Sequence, residues 1–420
     1  MKTHTRREFL KMSAGAPLLL SLAPTVPWLL MRSTARSAQR DSKSDRVLVV
    51  LQLSGGNDGL NTVVPFSDDT YARLRPTLRL NPADLHKLNS ELGLHQRMGA
   101  FRRLFEEGKL AIVQGVGCPD QTRDHDRAML AWQTAAPEPD GVDTGWLGRA
   151  TDCLWAQSQP AAPGVFVGNI PKPFGINAAT AVVPSVRRER EATLFGGFTP
   201  AAGIANEDAR ATIPQAGNNS LLRHVRACML ETQRSAVRFE ATAKAASREG
   251  SYPPFGLAED LHTIAKLIRA DVGIRIFYAE LGGGGIGGFD NHANQMGNHC
   301  ALLEQLAESV AAFAADLSQD GLLKNVLLMT FSEFGRTVAE NGRRGTDHGV
   351  AGPVFLVGGN LRGGIHGANP NLADLDAGAL KQHTDFRSVY ATVLEDWLRI
   401  PAKTVLGRDF ERLKIVQEHV

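Results

Sequence analysis

Residues 46–65 read RVLVVLQLSGGNDGLNTVVP. The run 47–53 is continuous, apolar and rich in β-branched side chains, and it is too short for a helix. That marks a strand buried on both faces, as in a parallel sheet. The strand stops at Gly55-Gly56, and Asn57 and Asp58 follow on the glycine hinge. Asn-Asp-Gly is good turn chemistry. A carboxylate presented at a strand end is equally what a cation site needs, and the rest of the chain decides between the two.

Outward from this strand, 110–116, 274–281, 326–331 and 353–357 repeat the pattern of a short buried strand. Between them, 98–107, 126–134, 221–247, 257–271, 299–317 and 385–398 have helical spacing. Asp124 is placed to cap the second of these helices and Asp385 the last, with His383 just ahead of it. Residues 164–186 are strand-like with many turns. Strands alternating with helices predict an α/β fold: a doubly wound, mostly parallel sheet with helices on both faces. Residues 41–420 are expected to form one such domain, with a peripheral insertion near 190–255 that begins in a Gly/Ala/Asn-rich stretch.

Residues 1–40 read differently. TRREFLK at 5–11 is a twin-arginine export pattern, and a weakly apolar stretch, 12–31, follows it. Gly15, Pro17, Pro24 and Pro27 interrupt that stretch, which suits a signal peptide better than a spanning helix. The expectation is export to the periplasm or beyond by the twin-arginine machinery, with no stable membrane span after processing. Cleavage near Ala35-Arg36-Ser37 or at Ala38 is left open. Such export carries folded proteins, often with a metal aboard.

The full 420-residue chain has an ordinary globular balance, 43% apolar and 21% charged, with 46 basic against 44 acidic residues. A net charge of +2 and no basic stripe give no footprint for nucleic acid. Four cysteines without a CxxC argue against a zinc–cysteine site. The glycine run 282–288 lacks the spacing of a phosphate-binding loop, and no GxSxG elbow occurs.

In an open parallel sheet, ligands sit beyond the carboxyl ends of the strands. The polar residues there are Asp58, then Thr122, Asp124 and His125, then Asp290 and His292, then Glu333 with Arg336. Asp347 and His348, flanked by glycines, precede the fifth strand. Carboxylates mixed with imidazoles are the ligand set for one or two divalent ions: zinc, calcium, manganese or magnesium. Such an ion can activate water and offset charge on a phosphate or sulfate ester. Arg336 is a candidate to steer the anion.

LQLSGGNDGLNTVVP, GFDNHANQ, LLMTFSEFGRTVAENGRRGTDHG and DFRSVYATVLEDW together resemble the exported bacterial family called domain of unknown function 1501, over roughly residues 45–400. That family is grouped with the alkaline phosphatase and sulfatase superfamily. The resemblance implies an alkaline phosphatase-like sheet and a site for one or two metals, with no settled activity. By that pattern Asp58 bridges metal and substrate, and Asp290 and His292 bind one metal, although they lie closer together than usual. Two matches compete for the next position: Glu333 by strand order, Asp347-His348 by letters. Strand order is favoured, with His348 as the late histidine.

At the superfamily's nucleophile position stands Thr122-Arg123-Asp124-His125, with Asp124 where the family commonly has Ser and Thr122 out of register. Thr122 as nucleophile, direct attack by a metal-activated hydroxide, and binding without turnover all stay open. The function expected is therefore a metal-dependent phosphate- or sulfate-ester hydrolase. The alternative is a non-catalytic binding or assembly protein with a structural metal.

Overall fold

The computed structural model describes residues 46–120, 122–158, 162–186, 251–283 and 288–417. The export segment, the helix expected over 221–247, most of the 190–255 insertion and the core of the glycine run lie outside the described residues. The elements that position the site are, in order, β1 (Val47–Leu53), α1 (Gly99–Glu106), β2 (Leu110–Gly117), α2 (His125–Thr134), α3 (Trp146–Ser158), β3 (Gly164–Val167), β4 (Ser185–Val186), α4 (Gly256–Arg269), β5 (Ile276–Leu281), α5 (Gln295–Gln319), β6 (Val326–Phe331), β7 (Gly352–Gly358), β8 (Gly364–His366), β9 (Thr384–Asp385) and α6 (Phe386–Thr392).

They build a mixed α/β fold on one large sheet with strand order β8-β2-β7-β6-β1-β5-β3-β4, and β9 pairs with β2. β1 lies at the centre, parallel to β5 and β6, and is buried along its whole length. Because a strand alternates its side chains between faces, β1 feeds two cores. Val47, Val49, Leu51 and Leu53 pack with α1, α4 and α5. Leu48 and Val50 pack with Trp132 of α2, Trp146 of α3 and Tyr390 of α6. Helices on both faces are what the continuous apolar run requires.

One strand runs the other way: β7 is antiparallel to both β2 and β6. Its entry is therefore at the carboxyl rim, and the segment just before it, with Asp347 and His348, is delivered to that rim. Among the described residues no helix is long and apolar enough to cross a membrane.

Several elements depart from the sequence expectation. Helix α3 and the short strands β8 and β9 had no counterpart in it. Helix α5 begins at Gln295, not His299, because its first N–H groups find remote acceptors: Asn294 donates to the Arg343 carbonyl and Gln295 to the Arg344 carbonyl, each at 3.0 Å. The last helix is α-helical only over Phe386–Thr392 and widens to a π-type turn over Val393–Leu398.

Candidate metal centre

The hinge after β1 exists to let three loops touch. Gly55 and Gly56 have φ of +111° and +78°, a region that favours glycine. A Cβ on Gly55 would lie 2.5 Å from the Asp290 nitrogen, and one on Gly56 would lie 2.4 Å from the Phe334 ring. The β1 loop thus packs directly on the loops after β5 and β6. The Gly55 N–H donates to Glu333 Oε1 at 2.8 Å.

Arg336 binds this junction together. Its side chain is fully buried. It donates to the carbonyls of Gly56 (2.7 Å), Gly55, Thr346 (3.1 Å) and Phe289 (3.1 Å), and to Asp290 Oδ1 at 2.7 Å. Four of the five bonds go to backbone. Arg336 is therefore not turned outward to an anion as the sequence suggested; it fixes the Asp290 carboxylate and the loops around it.

Around Asp290 the imidazoles converge. His292 Nε2 lies 3.0 Å from Asp290 Oδ1, and His125 Nε2 and His348 Nε2 each lie 3.3 Å from it. His292 Nε2 and His348 Nε2 are 2.8 Å apart. Donor atoms of His125, Asp290 and His348 all fall within 4.8 Å of one another. Each ring is held through its other nitrogen: His125 Nδ1 by Glu333 Oε1 at 2.9 Å, His292 Nδ1 by Asp347 Oδ1 at 3.1 Å, and His348 Nδ1 by the Arg123 carbonyl at 2.6 Å. A carbonyl or an ionised carboxylate can only accept, so each Nδ1 is the donor in these bonds, and a ring protonated only there turns its Nε2 lone pair inward. This is the outer-shell pattern of metal-ligating histidines. His125 Nε2 is buried and has no well-formed hydrogen bond among the described residues.

A zinc ion with Zn–N of about 2.0–2.1 Å in tetrahedral geometry sets its ligands roughly 3.3 Å apart. Donor atoms of His125, Asp290 and His348 are grouped within 4.8 Å, a possible cation site, and His292 stands beside Asp290 and His348 outside that group. The charges around the cluster pull in different directions. Burial alone would raise the Asp290 pKa, but the Arg336 hydrogen bond and charge, with His125 and His292, outweigh it and hold the carboxyl down at about 2. Burial lowers the His348 pKa, whereas the Glu333 hydrogen bond raises that of His125. Hydrogen bonds from Asn341 and His292 lower that of Asp347. Phe334 stacks on His348 with ring centroids 4.6 Å apart, an apolar wall for the cluster.

The structure brings together five sequence candidates as a cluster and its support: His125, Asp290, His292, Glu333 and His348, with Asp347 behind His292. Three others do something else. Asp58 is a correction: its carboxylate faces Arg75, with Oδ2 2.6 Å from Nη1 and Oδ1 2.9 Å from Nη2, and Gln295 donates to Oδ2 at 2.5 Å. The residue is 2% exposed, and Arg75 is fully buried. Burial would raise the Asp58 pKa, and Arg75 overrides it and lowers it. A guanidinium already compensates this carboxylate.

Asp124 caps α2, accepting from the Arg127 N–H at 3.0 Å, as expected of it. Thr122 Oγ1 accepts from the Asp124 N–H at 3.2 Å. Both side chains serve the backbone at the helix start. The residues missed by sequence reading are Arg75, Asn341 and the Arg123 carbonyl. Asn341 donates to Asp347 Oδ1 at 3.0 Å and to the His292 carbonyl at 3.1 Å. Its only signal was its position six residues before Asp347 in a glycine-flanked loop; a backbone carbonyl has no signal at all.

No curated protein matches the chain in sequence. Several solved structures are similar to it. The C-terminal periplasmic domain of EcEptC from Escherichia coli, in complex with zinc, overlaps with a TM-score of 0.37 at 9% identity, covering 76% of this chain and 74% of that one. A protein in the alkaline phosphatase superfamily from Vibrio parahaemolyticus gives a TM-score of 0.33 at 10% identity, covering 85% and 76%. The PsFucS1 sulfatase from Pseudoalteromonas sp. gives 0.36 at 11% identity, covering 92% and 75%. Likeness at this level says nothing of the chain's own chemistry. The sequence match is closer and spans nearly all of the described fold: by the family model that covers residues 45–412, the chain belongs to the family described as Protein of unknown function (DUF1501).

Proposed function

We propose that this protein is an exported metal-dependent hydrolase of phosphate or sulfate esters. The observation that carries the reading is the set of three imidazole Nε2 atoms within 3.3 Å of Asp290 Oδ1, each ring oriented from behind by an acceptor. His125, Asp290, His292 and His348 would hold one divalent ion. Three nitrogen donors and one oxygen favour zinc over calcium or magnesium, which take oxygen ligands. The bound ion supplies Lewis-acid chemistry: it acidifies water and offsets negative charge on an ester oxygen.

The chain's own residues set the geometry. Glu333, Asp347 and the Arg123 carbonyl hold the three Nδ1 protons, which keeps the rings in register. Arg336 fixes Asp290, and Phe334 limits water on one side. Thr122 and Asp124 are engaged by the helix start, which favours attack by water over attack by a side chain. The same observation gives the second reading its support: a fold that binds a cation without turnover.

The two readings separate in one experiment. Purified protein, with its metal content measured, is assayed on aryl phosphates, phosphodiesters and aryl sulfates. The hydrolase reading expects chelator-sensitive turnover that His348→Ala removes. Metal bound in stoichiometric amount with no turnover on any of these esters contradicts it and favours the binding protein.

A further inference from the structure

Of the three groups that hold the imidazole rings from behind, two are the carboxylates of Glu333 and Asp347. The third is the Arg123 backbone carbonyl, which accepts from His348 Nδ1 at 2.6 Å. A loop carbonyl aims a ring only as well as its own peptide is held. Here the Arg123 side chain holds it: Nη1 donates to the Ala377 carbonyl at 3.0 Å and Nη2 to the Asp376 carbonyl at 2.8 Å. The planar guanidinium fork spans two successive carbonyls, a match that a single ammonium does not offer. The Asp376 carboxylate is exposed and 4.0 Å from Nη2, so the backbone carries the contact.

The two acceptors sit at the tip of a hairpin that pairs Leu375–Asp376 with Ala379–Leu380. Ala377 and Gly378 have φ of +42° and +80°, positive at both central positions as a type I′ turn requires. The next carbonyl, that of Gly378, accepts from the Val338 N–H at 2.9 Å. Beside Val338, the Thr337 N–H donates to the Asp347 carbonyl at 2.9 Å, and the Thr337 hydroxyl accepts from the Asp347 N–H at 3.1 Å. Three successive tip carbonyls thus brace the loop that aims His348 and the segment that carries Asp347, the partner of His292.

We propose that the Arg123 side chain is a positioning residue of the metal centre: clamped on the hairpin tip, it fixes its own carbonyl against His348 Nδ1 and so sets that ring for the ion. This rests on the cation-binding part of the proposed function and not on turnover. Its sign is opposite to that of simple charge. Arg123 is a cation near a cation site, so in a purely Coulombic role its removal tightens metal binding. In a positioning role its removal weakens it.

The test is zinc affinity by chelator competition on the whole protein, with a thermal melt of each zinc-free variant. Arg123→Met keeps an apolar stem and removes the fork and the charge. It should weaken zinc about tenfold, the low end for loss of an outer-shell partner, with a melt close to the parent's because the side chain is partly exposed. Arg123→Lys keeps the charge but loses the fork, and should weaken zinc to a lesser degree. If Arg123→Met fails to fold, the lysine variant decides: weaker zinc supports the proposal, and the parent's affinity overturns it. Zinc held by folded Arg123→Met as tightly as by the parent, or more tightly, overturns it whatever the melt does. A parent chain that binds no zinc contradicts the metal centre itself, and the proposal falls with it.

Discussion

His292 and His348 hold their Nε2 atoms 2.8 Å apart while their Nδ1 protons point to Asp347 and the Arg123 carbonyl. Two inward lone pairs at that distance repel unless a proton or a cation lies with them. Three rings sharing one carboxylate oxygen favour the cation. Asp347 is exposed, so changing it tests ring orientation without touching the core. Asp347→Ala is expected to weaken zinc binding by about 10–100-fold, the usual cost of losing an outer-shell partner, whereas Asp347→Asn keeps an acceptor and most of the affinity. Chelator-competition titration reads both, and equal affinities would remove the orienting role.

At Gly55, alanine meets the 289–290 backbone at 2.5–2.6 Å and sits at φ +111°. Gly55→Ala should cost about 3 kcal/mol or more in urea unfolding. The placement of five of the cluster's residues was legible because each follows a strand or stands just before the antiparallel one. Asp58 and Arg336 stand there too, but their side chains turn to other groups. Their partners, Arg75 and a cage of backbone carbonyls, are brought to them by folding and leave no local trace in the letters.

Among the elements, β1 and β6 were legible to the residue, because a buried parallel strand announces itself as an apolar run with turn residues at its end. Helix α3 did not. Its Gly148 lies in the first turn, and glycine is a poor helix former that weakens the signal there. The structure shows why glycine is there: a Cβ would lie 1.7 Å from the Asn177 carbonyl oxygen. The direction of β7 was also hidden, since an apolar run does not reveal which way it points.

Two variants test how elements are joined. Asp124→Ala removes the α2 cap and should cost about 1 kcal/mol. Arg75→Met leaves Asp58 buried without its cation and should cost about 3–5 kcal/mol in denaturant unfolding. Metal stoichiometry in folded Arg75→Met is expected to stay that of the parent. Extra metal bound in its place would show that Asp58 belongs to the ion site after all.

For the molecule as a whole, two buried histidines away from the cluster set the acid limit. Burial lowers the pKa of His299 to about 4 and of His95 to about 3. Both folded values lie below the unfolded value of about 6.5. The unfolded chain then binds more protons than the folded one, so stability is full above about pH 6.5 and falls as pH drops toward 4. The His299 shift alone corresponds to roughly 3 kcal/mol. Urea titrations between pH 7 and pH 4 should show this loss, and His299→Gln should flatten it; an unchanged slope in that variant assigns the acid sensitivity elsewhere.

The fold class was legible at this scale because strand and helix alternate along the chain, and so was the family. What the sheet's carboxyl rim holds is decided most directly by elemental analysis of the purified protein, with zinc titration of a chelated sample. One zinc-class ion per chain is expected, and His292→Ala/His348→Ala should lose it while remaining folded. A folded chain that carries no divalent metal and takes up none of zinc, manganese, calcium or magnesium contradicts the account.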